Sequence, residues 1–469
     1  MSGLRRIFGG TTPGRLRGAM LGLTLLVLLA GAVSLWAAAG ISDAARTVGR
    51  DAEPSVALAL RMSAGLGDMD AAALADSLVG GGEATGTSAE FRQAMLTLSS
   101  DLVEAARNVT YGEAEAAPLR ELQRWTLAYQ EAVAEARTYG AGDRTATLRR
   151  VQWATRVNRD FATPEAGKLA EANASVLEDT YRRYQTQSLL LGGMAVGAFL
   201  LLVLALVAVQ AWLARRMRRT LNPMLAGATL VAAAAGLWLG ATVLQERITL
   251  RVAKDDAYGS LRPLFQAKVA VSALQADTSM WLLDPEPAAR AAAQARMDAS
   301  AWALVEVYLA NPARLMDMQT KLMAAVRLEE DGQVAAARAA TPQFGGFLGK
   351  ELNNITFGAA ERGPATDSIL RLADAAAAVR RMQALEGRRQ HTEAVAGWLG
   401  QGLGEGSTMF AALRAALDRT IAVNQAEFDQ HVSAALGTAA RLPWVVVAAL
   451  ALVLGLSLGG LWQRLREYR

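Results

Sequence analysis

Four long runs of apolar residues interrupt an otherwise mixed pattern of hydrophobic and polar positions. A transmembrane helix needs about 20 consecutive apolar residues, and each run reaches that length. Tryptophans stand near several ends of the runs, as they do in the aromatic belts at membrane–water interfaces. The pattern therefore predicts four transmembrane helices, at residues 19–41, 188–213, 224–244 and 443–462.

The two long segments between these runs, residues 42–187 and 245–442, have the spacing of amphipathic helices. In the first segment, apolar residues from Phe91 to Leu102 follow steps of four, three and four residues, which is typical of one buried helix face. Because the order span, segment, span occurs twice, the sequence predicts an architectural duplication. The predicted fold class is all-α, with four transmembrane helices and two helical bundles outside the membrane.

Polar residues at the predicted breaks suggest where individual helices begin. Ser88, Asp143 and Thr163 are predicted N-caps, because their side-chain oxygens can accept a hydrogen bond from the first helical turn. Asn222 followed by Pro223 has the same form, with proline at the first helical position. A helix is therefore expected to restart tightly just before the third span.

Two further features concern the second long segment. Residues 344–364 are rich in glycine and amides and poor in helical periodicity, so they are predicted to form a long loop packed on the bundle. Asn424 interrupts an apolar stripe that runs from Phe410 to Val432. A buried asparagine often fixes the register of packed helices; a ligand contact is the alternative.

Arginine placement predicts the orientation in the membrane. The segments 1–18, 214–223 and 463–469 together carry 11 basic residues and one acid, a net charge of +10. The whole chain has a net charge of +4, so the rest sums to −6. By the positive-inside rule, these segments and both termini are cytoplasmic and the two bundles are extracytoplasmic. The chain is thus predicted to be a multi-pass protein of the bacterial plasma membrane.

Two alternatives remain open at this point. The first span ends in the sequence WAAAG, which has the small residues of a signal-peptidase site. The run is longer than a typical signal-peptide core, so we expect an uncleaved anchor. The basic hairpin at 214–223 can contact anionic lipid headgroups or a cytoplasmic partner, through Arg215, Arg216, Arg218 and Arg219.

The composition argues against several classes of function. The chain has no cysteine and two histidines, so thiolate metal sites, zinc sites and histidine-based triads are not expected. We find no nucleotide-binding or hydrolase motif, and predict no enzymatic activity, no cofactor and no nucleic-acid partner. The spans lack charged residues, which disfavours transport. Each run contains or begins with a G-x-x-x-G spacing, which permits close helix packing.

Several segments resemble a family of actinobacterial four-span membrane proteins with two extracytoplasmic helical domains. Members of that family are commonly encoded beside a glutamine-binding lipoprotein and a serine/threonine protein kinase. The segments that carry the resemblance are TTPGRLRGAMLGL before the first span, GDMDAAALADSLVGGGE (67–83), RTLNPMLAGATL at the third span, LQADTSMWLLD (274–284), FLGKELNNITFG (347–358) and FAALRAALDRTIAVNQAEFDQHV (410–432).

The resemblance implies a relay of amino-acid status. A solute-loaded binding protein docks outside, and the four-span protein passes that state to a cytoplasmic protein kinase. Within the matching segments and the apolar stripe, five polar or aromatic residues are candidate ligand or partner contacts: Asp277, Trp281, Asn353, Asn354 and Asn424. Membrane lipids and a second copy of the chain are further possible partners.

Two other functions compete with the relay. In a direct small-ligand receptor of the chemoreceptor type, an arginine would hold the carboxylate of an amino acid and a carboxylate would hold its ammonium. Many such pairs occur in the sequence, so the sequence alone does not select one. In a structural envelope scaffold, the bundles would only hold other proteins. A conformational response to a ligand or binding protein separates the scaffold from the other two.

Overall fold

The fold was obtained as a computed structural model, which describes residues 12–78, 88–217, 222–308, 311–341, 345–355, 359–400 and 406–466. Among these residues the regular elements are helices and none is a strand, which confirms the all-α fold class. Four helices are long and apolar enough to cross a membrane, and each contains one of the four predicted apolar runs.

The chain up to residue 217 folds into a series of helices that begins and ends with a span. A π-helical segment at Thr47–Ala52 joins the first two helices, and another at Val157–Ala162 joins the last two. A short 3-10 turn lies at Gly140–Gly142. The α-helices are α1 (Thr12–Arg46), α2 (Glu53–Leu78), α3 (Ala89–Arg107), α4 (Glu113–Tyr139), α5 (Arg144–Arg156) and α6 (Thr163–Met217).

The chain from residue 222 repeats this plan with more and shorter helices in the middle. A π-helical segment at Val252–Tyr258 again joins the first span helix to the helix that follows it. The α-helices are α7 (Pro223–Arg251), α8 (Gly259–Leu283), α9 (Pro287–Val305), α10 (Pro312–Glu330), α11 (Val334–Ala340), α12 (Gly346–Asn353), α13 (Ala359–Gly387), α14 (His391–Trp398) and α15 (Gly406–Arg466).

The helix caps follow the predictions at three of four positions. Ser88 Oγ accepts from the Phe91 amide at 3.1 Å, and Asp143 Oδ1 accepts from the Ala146 amide at 2.9 Å. Asn222 caps α7, with Pro223 in its first turn. The prediction for Thr163 is wrong, because the chain arrives at Thr163 already helical through the preceding π-helical segment. Its hydroxyl donates instead to Asn158 Oδ1 at 3.2 Å.

The prediction of a long loop at 344–364 is also wrong for most of its described residues. Residues 346–353 form α12, and α13 begins at residue 359. Gly346 has a φ of +68°, and a Cβ there would lie 2.6 Å from the carbonyl oxygen of Leu304. Glycine is therefore required for a tight approach to the end of α9 rather than for flexibility.

The described chain forms two compact units. One, the span unit, comprises residues within 1–50, 177–252 and 430–469. Its core draws apolar side chains from α1, α6, α7 and α15. Close packing at a predicted glycine pair is confirmed at Gly236, where a Cβ would lie 2.9 Å from the Cβ of Phe199. Gly193 and Gly197, by contrast, have no neighbouring atom within 4 Å of such a Cβ.

The other, the helical unit, comprises residues 51–176, here the first half, and residues 253–429, the second half. Each half has its own apolar core, around Leu66 and Tyr129 in the first and around Leu274 and Trp398 in the second. A smaller core joins the halves and includes Leu74 of α2 and Met280 of α8. The two halves therefore pack together within one unit, mainly through α2 and α8.

Candidate functional site: charged side chains between the two halves

Two buried aspartates lie at similar positions in the two halves. Asp70 is on α2 and Asp277 is on α8, and their exposed fractions are 3% and 1%. Each therefore occupies the first long helix of its half, at the contact between α2 and α8. A buried carboxylate is costly unless it is paired and hydrogen-bonded, so the groups around these two decide what the site can do.

Arg159 connects the two aspartates. Its Nη1 donates to Asp277 Oδ1 at 2.7 Å, and its Nε lies 3.8 Å from Asp70 Oδ2. Arg159 belongs to the π-helical segment before α6, where the wider helical turn changes the direction of the side chains that follow. Arg296 of α9 also donates to Asp277 Oδ1, at 2.8 Å. One arginine of the first half thus holds an aspartate of the second half.

The first-half aspartate has hydrogen-bond donors of its own. The hydroxyl of Thr155 donates to Asp70 Oδ1 at 2.9 Å, and that of Tyr129 donates at 3.5 Å. Burial raises the pKa of Asp70 to about 6, Arg159 and these hydroxyls oppose the rise, and the charge of Asp277 adds to it. The charge of Asp70 is therefore sensitive to small changes around it near neutral pH.

A second arginine connects the halves in the opposite direction. Arg414 of α15 hydrogen-bonds through Nη1 to Gln275 Oε1 of α8, and its Nε lies 3.8 Å from Asp68 Oδ1 of α2. The Ser272 hydroxyl donates to the same Asp68 oxygen at 2.6 Å. Each half thus sends an arginine to an aspartate on the opening helix of the other half.

We call this set the interlock: Asp68, Asp70, Arg159, Asp277 and Arg414. The opposed helices come very close beside it, since a Cβ at Gly67 would lie 3.0 Å from the Cβ of Ser272. Buried ion pairs contribute little net stability, but breaking one by removing a single partner is strongly destabilising. The interlock can therefore specify one relative position of α2 and α8.

The predicted contact residues fall into separate places. Asp277 belongs to the interlock. Trp281, one turn further along α8, packs under Arg290, whose guanidinium carbon lies 5.1 Å from the ring centroid. Asn353 ends α12 and lines a cavity described below. Asn354 Nδ2 donates to Ser260 Oγ at 2.9 Å and to the carbonyl oxygen of Asp256 at 2.9 Å.

Asn424 is fully buried and contacts a carboxyl that sequence reasoning missed. Its Nδ2 donates to Glu351 Oε1 at 3.1 Å and to the Thr420 carbonyl oxygen at 3.1 Å. Burial raises the pKa of Glu351 to about 8, and the nearby Glu361 contributes to the rise. The contact between Asn424 and Glu351 joins α15 to α12, as a register-fixing asparagine would.

The interlock left little signal in the sequence. Residues on every face of α2 are buried around Asp70, from Met69 to Leu74. The one feature of the sequence that could have indicated the interlock is therefore an aspartate within this largely apolar stretch. Arg159 and Arg414 resemble any solvent-exposed arginine in their local sequence. Their role depends on partners far away along the chain, such as Asp277 for Arg159 and Asp68 for Arg414.

Half of the predicted basic hairpin lies in the described chain. Arg215 and Arg216 occupy the last turn of α6 and are exposed. Arg218 and Arg219 lie outside the described residues. The next helix, α7, begins at Pro223.

The comparison with protein families gives one match. Residues 44–182 match the model of a family described as Actinobacterial sensor domain. The match includes Asp68, Asp70 and Arg159, the first-half members of the interlock. No curated protein and no solved structure matches the chain. The family match supports a sensor-type actinobacterial protein with a role in sensing or signalling.

Proposed function

We propose that this protein is a transmembrane sensor that passes the state of its helical unit to a separate cytoplasmic partner. The observation that carries the proposal is the position of the interlock. Its aspartates lie on α2 and α8, and each of these helices follows an apolar span helix through a single π-helical segment. A movement of α2 against α8 is therefore connected along the backbone to the spans.

The interlock supports a switch with discrete positions. Asp70 and Asp277 are buried between close-packed helices, so an intermediate position of the helices would leave these two carboxylates without partners. A ligand or docked protein that favours one arrangement of the halves shifts the population of the two positions. Small helix shifts of this kind are a known way of transmitting signals through packed helices.

The cytoplasmic partner is proposed to be a serine/threonine protein kinase, and the outer partner an amino-acid-binding protein. The support is the resemblance described above and the basic character of the three short segments. Exposed arginines at the end of α6 offer a compact positive surface.

Crosslinking of the full-length protein in its native membrane, followed by affinity purification and mass spectrometry, tests the proposal. We expect to recover a solute-binding protein and a protein kinase. In a variant with glutamine at Arg215, Arg216, Arg218 and Arg219, the kinase should be lost and the outer protein retained. The matched control replaces the same four residues with lysine, which keeps their charge and the topology signal.

A topology reporter on each variant separates lost recruitment from wrong insertion. Equal kinase recovery with the glutamine variant, in the correct topology, would show that the hairpin does not bind the partner. Recovery of only this chain or cell-wall enzymes from the wild type would overturn the relay and favour a scaffold.

A further inference from the structure

A cavity of about 520 Å³ lies in the second half of the helical unit, away from the interlock. Side chains of α10, α11, α12 and α13 line it. Its volume falls within the range of small-molecule sites. Its lining includes the apolar side chains of Leu322 and Leu352 and a polar group, here called the polar wall, formed by Glu329, Arg362 and Thr366.

The polar wall holds one positive and one negative side chain side by side. Arg362 Nη1 lies 3.1 Å from Glu329 Oε2, and the two side chains are 15% and 23% exposed. Together the pair has no net charge. A ligand with a single charge would add an unbalanced charge to this half-buried site. A ligand with one positive and one negative group would keep the site neutral and could pair each group with the oppositely charged side chain.

Two hydrogen-bonding atoms on this wall have no partner in the described chain. They are Arg362 Nε and Thr366 Oγ1, both fully buried atoms. Thr366 itself is only 5% exposed. Arg362 and Thr366 are four residues apart on α13, so their side chains lie on the same helix face. A buried donor without a partner is costly, so a ligand group that hydrogen-bonds to either atom would remove that cost.

We infer that this cavity binds a small zwitterion with the size and charges of a free amino acid. Its carboxylate accepts hydrogen bonds from Arg362 Nε and Thr366 Oγ1, and its ammonium donates to Glu329. The remaining side chain of the ligand packs against Leu322 and Leu352. Among the many arginine–carboxylate pairs of the sequence, this pair combines a cavity with unused hydrogen-bonding atoms. The inference goes beyond the proposed relay, since binding here requires neither the kinase nor the outer protein.

Calorimetric titration of the purified full-length protein in lipid nanodiscs tests the inference. The probes are the common free amino acids at millimolar concentration, each followed by its N-acetyl derivative and by the amine that lacks the carboxylate. We expect at least one amino acid to bind, and both of its derivatives to lose binding. A matching derivative that binds as well as the amino acid would overturn the zwitterion assignment.

The Thr366→Val variant gives a second measurement that does not depend on a damaged fold. Valine has nearly the same shape, and the hydroxyl has no partner to lose without ligand, so the unliganded thermal midpoint should not fall. The amino acid should bind at least about tenfold more weakly, since a hydrogen bond to a charged group is lost. Unchanged affinity would overturn the assignment of this wall.

Thr126→Val is the matched control. Thr126 is 4% exposed and lies in the first half, and its hydroxyl donates to the Leu122 carbonyl oxygen. This variant should bind the amino acid as the wild type does. If no free amino acid binds to the wild type, the inference fails, while the crosslinking result still decides the relay on its own.

Discussion

Replacement of Arg159 by methionine tests the interlock directly. The variant keeps most of the apolar stem of the side chain but leaves Asp70 and Asp277 buried without the guanidinium that joins them. Removing one partner of a buried pair typically costs about 3–5 kcal/mol. Because Arg296 still donates to Asp277, we expect a loss near the lower end of that range.

The loss should depend on pH. In the wild type the folded pKa of Asp70 is raised from 3.8 to about 6, chiefly by burial. The contribution of this group to stability is therefore fully present below about pH 4 and is lost as pH rises through about 6. Without Arg159 the pKa rises further, so the loss continues to higher pH. The variant should be destabilised at both pH values, because Arg159 also holds Asp277, and it should be destabilised more at pH 8 than at pH 5.

Thermal unfolding of the full-length protein in detergent, followed by circular dichroism at pH 5 and pH 8, measures the effect. Arg120→Met is the matched control, because Arg120 pairs with Glu113 at 2.7 Å but both side chains are largely exposed, and such pairs contribute little. An equal loss at both pH values would mean that Arg159 acts through Asp277 or through packing, and not through the charge of Asp70. No loss at pH 8 would refute the interlock.

Two further changes probe other parts of the fold. Glu351→Gln should remove part of the loss of stability that the wild type shows as pH rises from about 4.5 through about 8, because burial raises the pKa of this carboxyl to about 8 and glutamine cannot ionise. Thermal midpoints at pH 6 and pH 9 measure the difference. Burial likewise raises the pKa of Glu53 to about 8, so the variant should keep some dependence of its stability on pH. A pH dependence equal to that of the wild type would contradict the raised pKa of Glu351. In the span unit, Gly236→Ala should cost about 1–3 kcal/mol, because its Cβ would lie 2.9 Å from Phe199. Gly197→Ala is the control, because a Cβ added at Gly197 would have no neighbouring atom within 4 Å. Equal thermal midpoints of the two variants in detergent would contradict the packing argument.

Local signals in the sequence predicted local structure well. The apolar runs are continuous, so the helices that contain them could be predicted from length alone. Asn222 and Pro223 predicted the start of α7 because a cap depends on a few neighbouring residues. Thr163 failed for a reason that is also local: a π-helical segment upstream keeps the backbone helical, and no sequence rule signals such a segment.

The contacts between the halves could not be predicted in the same way. Arg159 meets Asp277, and Arg414 meets Asp68, only because α2 and α8 pack against each other. Pattern rules for a single helix contain no information about that packing. The glycines near Gly346 were misleading as well, since they permit a close helix approach rather than a loop.

The crossed arginines also bear on how the two halves can change over evolutionary time. Each half completes a charged contact that begins in the other, so a substitution at Asp277 alters the surroundings of Arg159 in the first half, and one at Asp68 alters those of Arg414 in the second. Neither half can change independently at these positions, because either one alone would expose an unmatched charge at the face it shares with the other. The two halves are therefore expected to change together at these positions.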